Sequence, residues 1–146
     1  MNVEYERSVD IAAQAERVWD VLSDVERWPE WTPSVNGAQL LDAGGLWPGQ
    51  RARVRQPRVP VTIWTVEQVE HGRMFSWRAQ TPGLRSLAEH TVEPKGADSS
   101  RMVMRLTHSG ILAGPARLIY GGLIKRYLGF EAEGLKRAAG AERRDQ

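Results

Sequence analysis

Three runs in the middle of the chain alternate bulky apolar residues with polar ones, and this alternation restricts what the chain can become. Trp64 and Val66 share one parity, as do Phe75, Trp77 and Ala79, and as do Ala88, His90 and Val92. Successive strand residues point to opposite faces, so each run gathers its large apolar groups on one side and Thr, Glu or Arg on the other. The pattern predicts an antiparallel sheet curved around an aromatic-walled interior. Such an interior is either a packed core or a pocket for an apolar molecule. One histidine, His90, joins that inner side.

The flanking sequence extends the sheet. Val3, Tyr5, Val9 and Ile11 alternate with Glu4, Glu6, Ser8 and Asp10, which reads as a half-buried first strand. Ala15, Val18, Trp19 and Leu22 then follow helical spacing within Ala12–Leu22. A second short helical piece spans Val25 to Trp31, limited by Pro29 and Pro33. Extended segments follow near Val35–Asp42, Gln50–Gln56, Val61–Glu70, Arg73–Gln80, Leu84–Glu93 and Arg101–Ser109, divided by Gly- and Pro-containing turns. Their short connections predict a meander of sequential neighbours. From Pro115 to Ala139 the apolar residues recur at steps of three and four, with Gly140 as the expected stop. A helix of ~25 residues is ~37 Å long, enough to cross the sheet.

Composition narrows the function classes. The 146 residues include 20 basic and 18 acidic ones, a net charge of +2, too even to argue for nucleic acid. There are no cysteines, which excludes disulfides, thiolate metal sites and a cysteine nucleophile. Neither a secretory signal nor an apolar run of ~20 residues is visible, so a cytoplasmic protein without membrane insertion is expected. Arg51, Arg53 and Arg55 share a face, read as a solvated outer edge rather than an inward anion site. Phosphate-loop, serine-elbow and paired-histidine zinc signatures are absent. No cofactor or metal is expected, and His71, His90 and His108 stand far apart in sequence.

Several local motifs occur in one order: Val18-Trp19-Asp20-Val21-Leu22-Ser23-Asp24, Glu26-Arg27-Trp28-Pro29-Glu30-Trp31, Arg53-Val54-Arg55-Gln56-Pro57, Trp64-Thr65-Val66, Phe75-Ser76-Trp77, Pro82-Gly83, His90, Arg126-Tyr127-Leu128 and Glu131-Ala132-Glu133-Gly134-Leu135-Lys136. Together they resemble the polyketide cyclase/dehydrase branch of the START-like (SRPBCC, helix-grip) superfamily over nearly the whole length. The resemblance implies an α+β helix-grip fold: a seven-stranded antiparallel sheet wrapped around a long C-terminal helix, with two short helices after the first strand. It implies one domain over residues 1–139, followed by a short polar tail, 140–146. Members bind lipids, sterols, quinones or polyketides in a cavity between sheet and helix, and a minority catalyse cyclisation or dehydration. Fold alone does not choose between these.

The expected ligand-binding residues are Trp64, Phe75, Trp77, His90, Met102, Met104, Tyr127 and Glu131. Aromatic groups and methionines supply broad, adaptable apolar surface, which serves a flat ligand or an ordinary core. His90 is the best catalytic candidate, because an imidazole can orient a carbonyl or transfer a proton. Glu131 interrupts the apolar stripe of the last helix, and a buried carboxylate needs a partner or a proton. An arginine, or His90 across the cavity, would serve. Otherwise Glu131 lies at the stripe's edge, in water or bridging to Arg126 or Lys136. His71 is expected in an exposed turn and His108 at a rim. The leading expectation is a monomeric or homodimeric protein that binds a small hydrophobic or aromatic ligand. An aromatase/cyclase-type enzyme and a protein-interaction module are the alternatives.

Overall fold

The computed structural model describes residues 2–144, with side chains described for residues 2–140. Seven strands form one antiparallel sheet: β1 (Asn2–Ile11), β2 (Gly37–Leu40), β3 (Arg51–Arg55), β4 (Thr62–Glu70), β5 (Met74–Thr81), β6 (Leu84–Gly96) and β7 (Ser99–Ser109). The spatial order is β1-β7-β6-β5-β4-β3-β2. Strands β2 to β7 meander, as short connections require, and β1 closes the far edge against β7, from Asn2 opposite Ser109 to Ile11 opposite Ser100. One face is charged. Arg101 meets Asp10 at 3.0 Å and Arg78 meets Glu67 at 3.3 Å, and these exposed pairs order the outer surface while adding little stability. Arg51, Arg53 and Arg55 all lie exposed on this outer face, with Arg51 held by Asp42. A bulge between Val66 and Gln68 in β4 lets Glu67 and Gln68 both face water and returns Val69 to the inner side.

Two short helical pieces follow β1, as the spacing predicts. Helix α1 (Ala15–Ser23) buries Val18, Trp19 and Leu22. The next piece, Val25–Glu30, is a 3₁₀ helix that tolerates Pro29 in its interior. It is fixed by Trp28, whose Nε1 donates to the Leu22 carbonyl at 2.9 Å. The long helix α2 (Ala113–Arg144) begins two residues before Pro115 and continues through Gly140, where the sequence suggested a stop. Glycine ends a helix by adopting positive φ, and Gly140 does not. The polar tail expected from residue 140 therefore begins as helix. The side chains of 141–146, including Arg143 and Arg144, lie outside the described residues.

Two contacts place α2. A Cβ on Gly134 would lie 2.0 Å from the Trp31 carbonyl oxygen, so glycine permits the helix to touch the chain after the 3₁₀ piece. At its other end, the Leu112 amide donates to the Gly83 carbonyl at 2.9 Å, tying the helix start to the β5–β6 turn. The C-terminal half of α2 packs Ala132, Leu135 and Ala139 into a core with Ile11, Leu22, Phe75 and Met102. The preceding half meets the sheet along β1, where Ile124 packs with Val3, Tyr5 and Ala113, and it bridges the inner strands over a cavity.

Candidate functional site

The floor of the cavity follows from strand register. Inward residues of β6 run Ser86, Ala88, His90, opposite His108, Leu106 and Met104 of β7. Ala88 is small, so the middle of the floor is low. Helix α2 roofs it with Tyr120, Ile124, Tyr127, Leu128 and Glu131, and Trp64 and Trp77 form a wall. The cavity has a volume of about 550 Å³, within the range of small-molecule sites, and opens to solvent. The β3–β4 loop contributes Gln56, Val59 and Pro60 to the rim. Tyr127 Oη donates to the Pro57 carbonyl and fastens that loop to α2. A separate recess of about 500 Å³ outside β2 and β3, flanked by Arg53 and Arg55, contains no buried residue and offers no enclosed chemistry.

One end of the cavity is aromatic and polar together. The His90 ring stacks on Phe75 with centroids 4.4 Å apart, and Trp28 lies 5.6 Å away. Trp64 and Trp77 stack at 5.7 Å. His90 is 5% exposed, and its Nδ1 is buried without a hydrogen-bond partner. Burial pushes the imidazole down to about 4, with a weaker upward pull from the Phe75 backbone, so it is neutral at pH 7.

Glu131 faces the same space. It pairs with no arginine, lysine or histidine among the described residues; instead Ser34 Oγ donates to Oε2 at 3.0 Å. Ser34 Oγ is in turn 2.8 Å from Thr32 Oγ1. All three residues are buried, which excludes an edge position bridging to Arg126 or Lys136. Burial raises the Glu131 carboxyl to about 7, and the Ser34 hydroxyl only partly offsets this. The cavity thus holds a neutral imidazole and a carboxyl that gains and loses its proton near neutrality.

Of the residues singled out from sequence, Trp64, Trp77, His90, Met104, Tyr127 and Glu131 line the cavity. Phe75 and Met102 do not. Both are fully buried in the core, Phe75 beside His90 as its partner on β5 and Met102 one pair further along the sheet, opposite Val92. His71 is exposed and packs its ring edge against Trp47 at 4.8 Å. His108 is not a rim residue: it is 7% exposed and lines the cavity. Burial lowers its pKa. Ser34 and Thr32 escaped the sequence reading because they follow a proline-limited helix and resemble a polar loop.

The chain belongs to the family described as polyketide cyclase / dehydrase and lipid transport, whose model matches residues 2–140. A Streptomyces halstedii protein bearing the name "Putative polyketide cyclase" is 32% identical over 72 residues, covering 49% of this chain and 55% of the relative. The chain thus matches about half the length of that curated relative. Among solved structures, the ZhuI aromatase/cyclase of Streptomyces sp. R1128 superposes with a TM-score of 0.80 at 19% identity, covering 100% of this chain and 97% of that one. Norcoclaurine synthase of Thalictrum flavum, bound to dopamine and hydroxybenzaldehyde, gives 0.74 at 16% identity over 94% and 86%. A START superfamily protein of Mycobacterium smegmatis gives 0.68 at 24% identity over 95% of both chains. These structural likenesses establish the helix-grip fold. No helix among the described residues is long and apolar enough to cross a membrane.

Proposed function

We propose that this protein binds a flat hydrophobic or aromatic small molecule, of lipid, quinone or polyketide type, between the sheet and α2. The observation that carries this reading is the cavity of about 550 Å³, walled by Trp64 and Trp77 and roofed by Leu128 and Ile124. Apolar walls of this extent stabilise a ligand by removing its surface from water, while a few polar groups fix its orientation. The test is native mass spectrometry of protein purified from its own host, followed by solvent extraction. A discrete apolar adduct supports the reading. A clean mass, together with no quenching of tryptophan fluorescence by flat aromatic probes, overturns it.

A second reading, cyclisation of a polyketide with loss of water, is supported by Glu131 and His90 sharing the cavity. A carboxyl near 7 and a neutral imidazole lining the same cavity match the separation of acid and base roles that proton-transfer chemistry needs. In that reaction the Glu131 carboxylate takes the proton of a carbon between two ketones. The carbanion closes a carbon–carbon bond on another carbonyl of the polyketide chain, whose oxygen takes the proton back from Glu131 and becomes a hydroxyl. Glu131 then removes the remaining proton of the attacking carbon, and the hydroxyl takes up a proton and leaves as water, with a carbon–carbon double bond formed in its place. His90 holds the reacting carbonyl. With an accepted poly-β-ketone, Glu131→Gln then slows turnover by at least about 100-fold while retaining binding. Unchanged turnover removes Glu131 from the chemistry.

A further inference from the structure

We propose that the ligand carries an oxygen at each of two opposite ends, because the cavity has a second polar pole built around His108. This rests on the reading of the cavity as a ligand site and specifies what occupies it. His108 lines the cavity on β7, and its Nδ1 is buried with no hydrogen-bond partner. Tyr5 packs edge-on against it with centroids 5.9 Å apart, and the Tyr5 hydroxyl is likewise buried and unpartnered. Ser86, directly opposite His108 on β6, also lines the cavity. The Tyr5 hydroxyl and His108 Nδ1 are closed off from the cavity, so a ligand oxygen at this end is received by the part of the His108 ring that lines the cavity and by Ser86, the two polar side chains of the floor here.

The register gives the distance between the poles. His90 and Ser86 lie four residues apart on β6, which at ~3.3 Å per residue is ~13 Å. His108 is one strand across from Ser86, so the backbones of the two histidines are roughly 14 Å apart. Between the poles the floor is Ala88 and Leu106, which offer no polar side chain. The roof repeats this order, with Glu131 near the first pole and Leu128 and Ile124 following toward the second. The α2 backbone at Gly121 reaches the Tyr5 hydroxyl, where an added Cβ would stand at 3.4 Å. A molecule matched to this sequence is long, flat and apolar in its middle, with a hydroxyl or carbonyl oxygen at either end. A fatty acyl chain, polar at one end alone, leaves the His108 pole unpaired.

Three probes test this by quenching of tryptophan fluorescence: anthracene, 2-hydroxyanthracene and 2,6-dihydroxyanthracene, whose two hydroxyls lie at opposite ends of fused apolar rings. The wild type is expected to bind the dihydroxy probe about tenfold more tightly than the monohydroxy one, the effect of one net hydrogen bond. His108→Leu brings that ratio to about one, and His108→Gln, which keeps a hydrogen-bonding group, restores most of it. The ratio is internal to each protein, so a general loss of folded fraction does not move it. A wild-type ratio of one, or a ratio untouched by His108→Leu, overturns the second pole while leaving the cavity as a ligand site. Failure of all three probes to bind overturns this inference, and only together with a clean native mass does it remove the cavity reading as well.

Discussion

Glu131 and His90 couple the cavity to pH in opposite senses. Folded Glu131 keeps its proton to about pH 7, whereas in the unfolded chain the carboxyl loses it near 4.5. Its neutral form is therefore fully accommodated below pH 4.5, and stability falls as pH rises through 7, by about 3 kcal/mol. Folded His90 resists protonation down to about 4, against 6.5 unfolded, so its contribution is complete above 6.5 and is lost as pH falls through 4. Urea unfolding of Glu131→Gln should gain about 3 kcal/mol on the wild type between pH 4.5 and 8; parallel curves would mean an ordinary carboxylate. In His90→Leu the acid-side loss between pH 6.5 and 4 should vanish. Strand parity revealed that His90 faces inward, and the interrupted stripe of α2 marked Glu131. What satisfies Glu131 was not legible, because Ser34 lies 97 residues away and no local pattern links them. Depth was hidden as well. Phe75 and Trp77 share a parity, yet one is core and the other is cavity wall, and alternation encodes the face of a strand rather than the distance to the next layer.

At the level of elements, the glycines of α2 separate into different jobs. Gly134→Ala sets a methyl against the Trp31 carbonyl and should destabilise by about 3 kcal/mol or more, measured by urea midpoint. Gly122→Ala meets nothing within 4 Å on an exposed face and should stabilise by up to about 1 kcal/mol through helix propensity. Equal effects at the two sites would remove the close contact as the reason for Gly134. Propensity alone treats both residues as helix weaknesses, and so the sequence could not rank them. The same blindness explains the extended C-terminus: Gly140 is a stop only in a left-handed conformation, and the chain leaves it helical. The strands were read more fully. Alternation located all seven within a few residues, while the bulge in β4 stayed hidden because one extra residue merely resembles a lapse in the pattern. Tyr127→Phe frees the Pro57 carbonyl and should cost about 1 kcal/mol. The accompanying sign is faster hydrogen exchange at residues 56–61, and unchanged exchange there would dismiss the tie.

For the molecule as a whole, the cavity and core share one sheet but respond differently to loss of side chain. Phe75→Ala opens a void in the core and should cost about 3–5 kcal/mol. Trp64→Ala enlarges a space that already exists and should cost markedly less, the two being compared by thermal and urea unfolding. An equal penalty would mean that the cavity is packed as tightly as the core. The placement of α2 has a further consequence for access to the cavity. Its C-terminal half is seated on Trp31 through Gly134, and its start is tethered to Gly83. Lifting the helix would break both attachments and expose the core beneath it. The β3–β4 loop is held by far less, with Arg58 in the uncommon left-handed region at φ 67° and Tyr127 as its fastening. Were a molecule to enter between sheet and helix, the loop rather than the helix would be the part that moves with fewer ties to break.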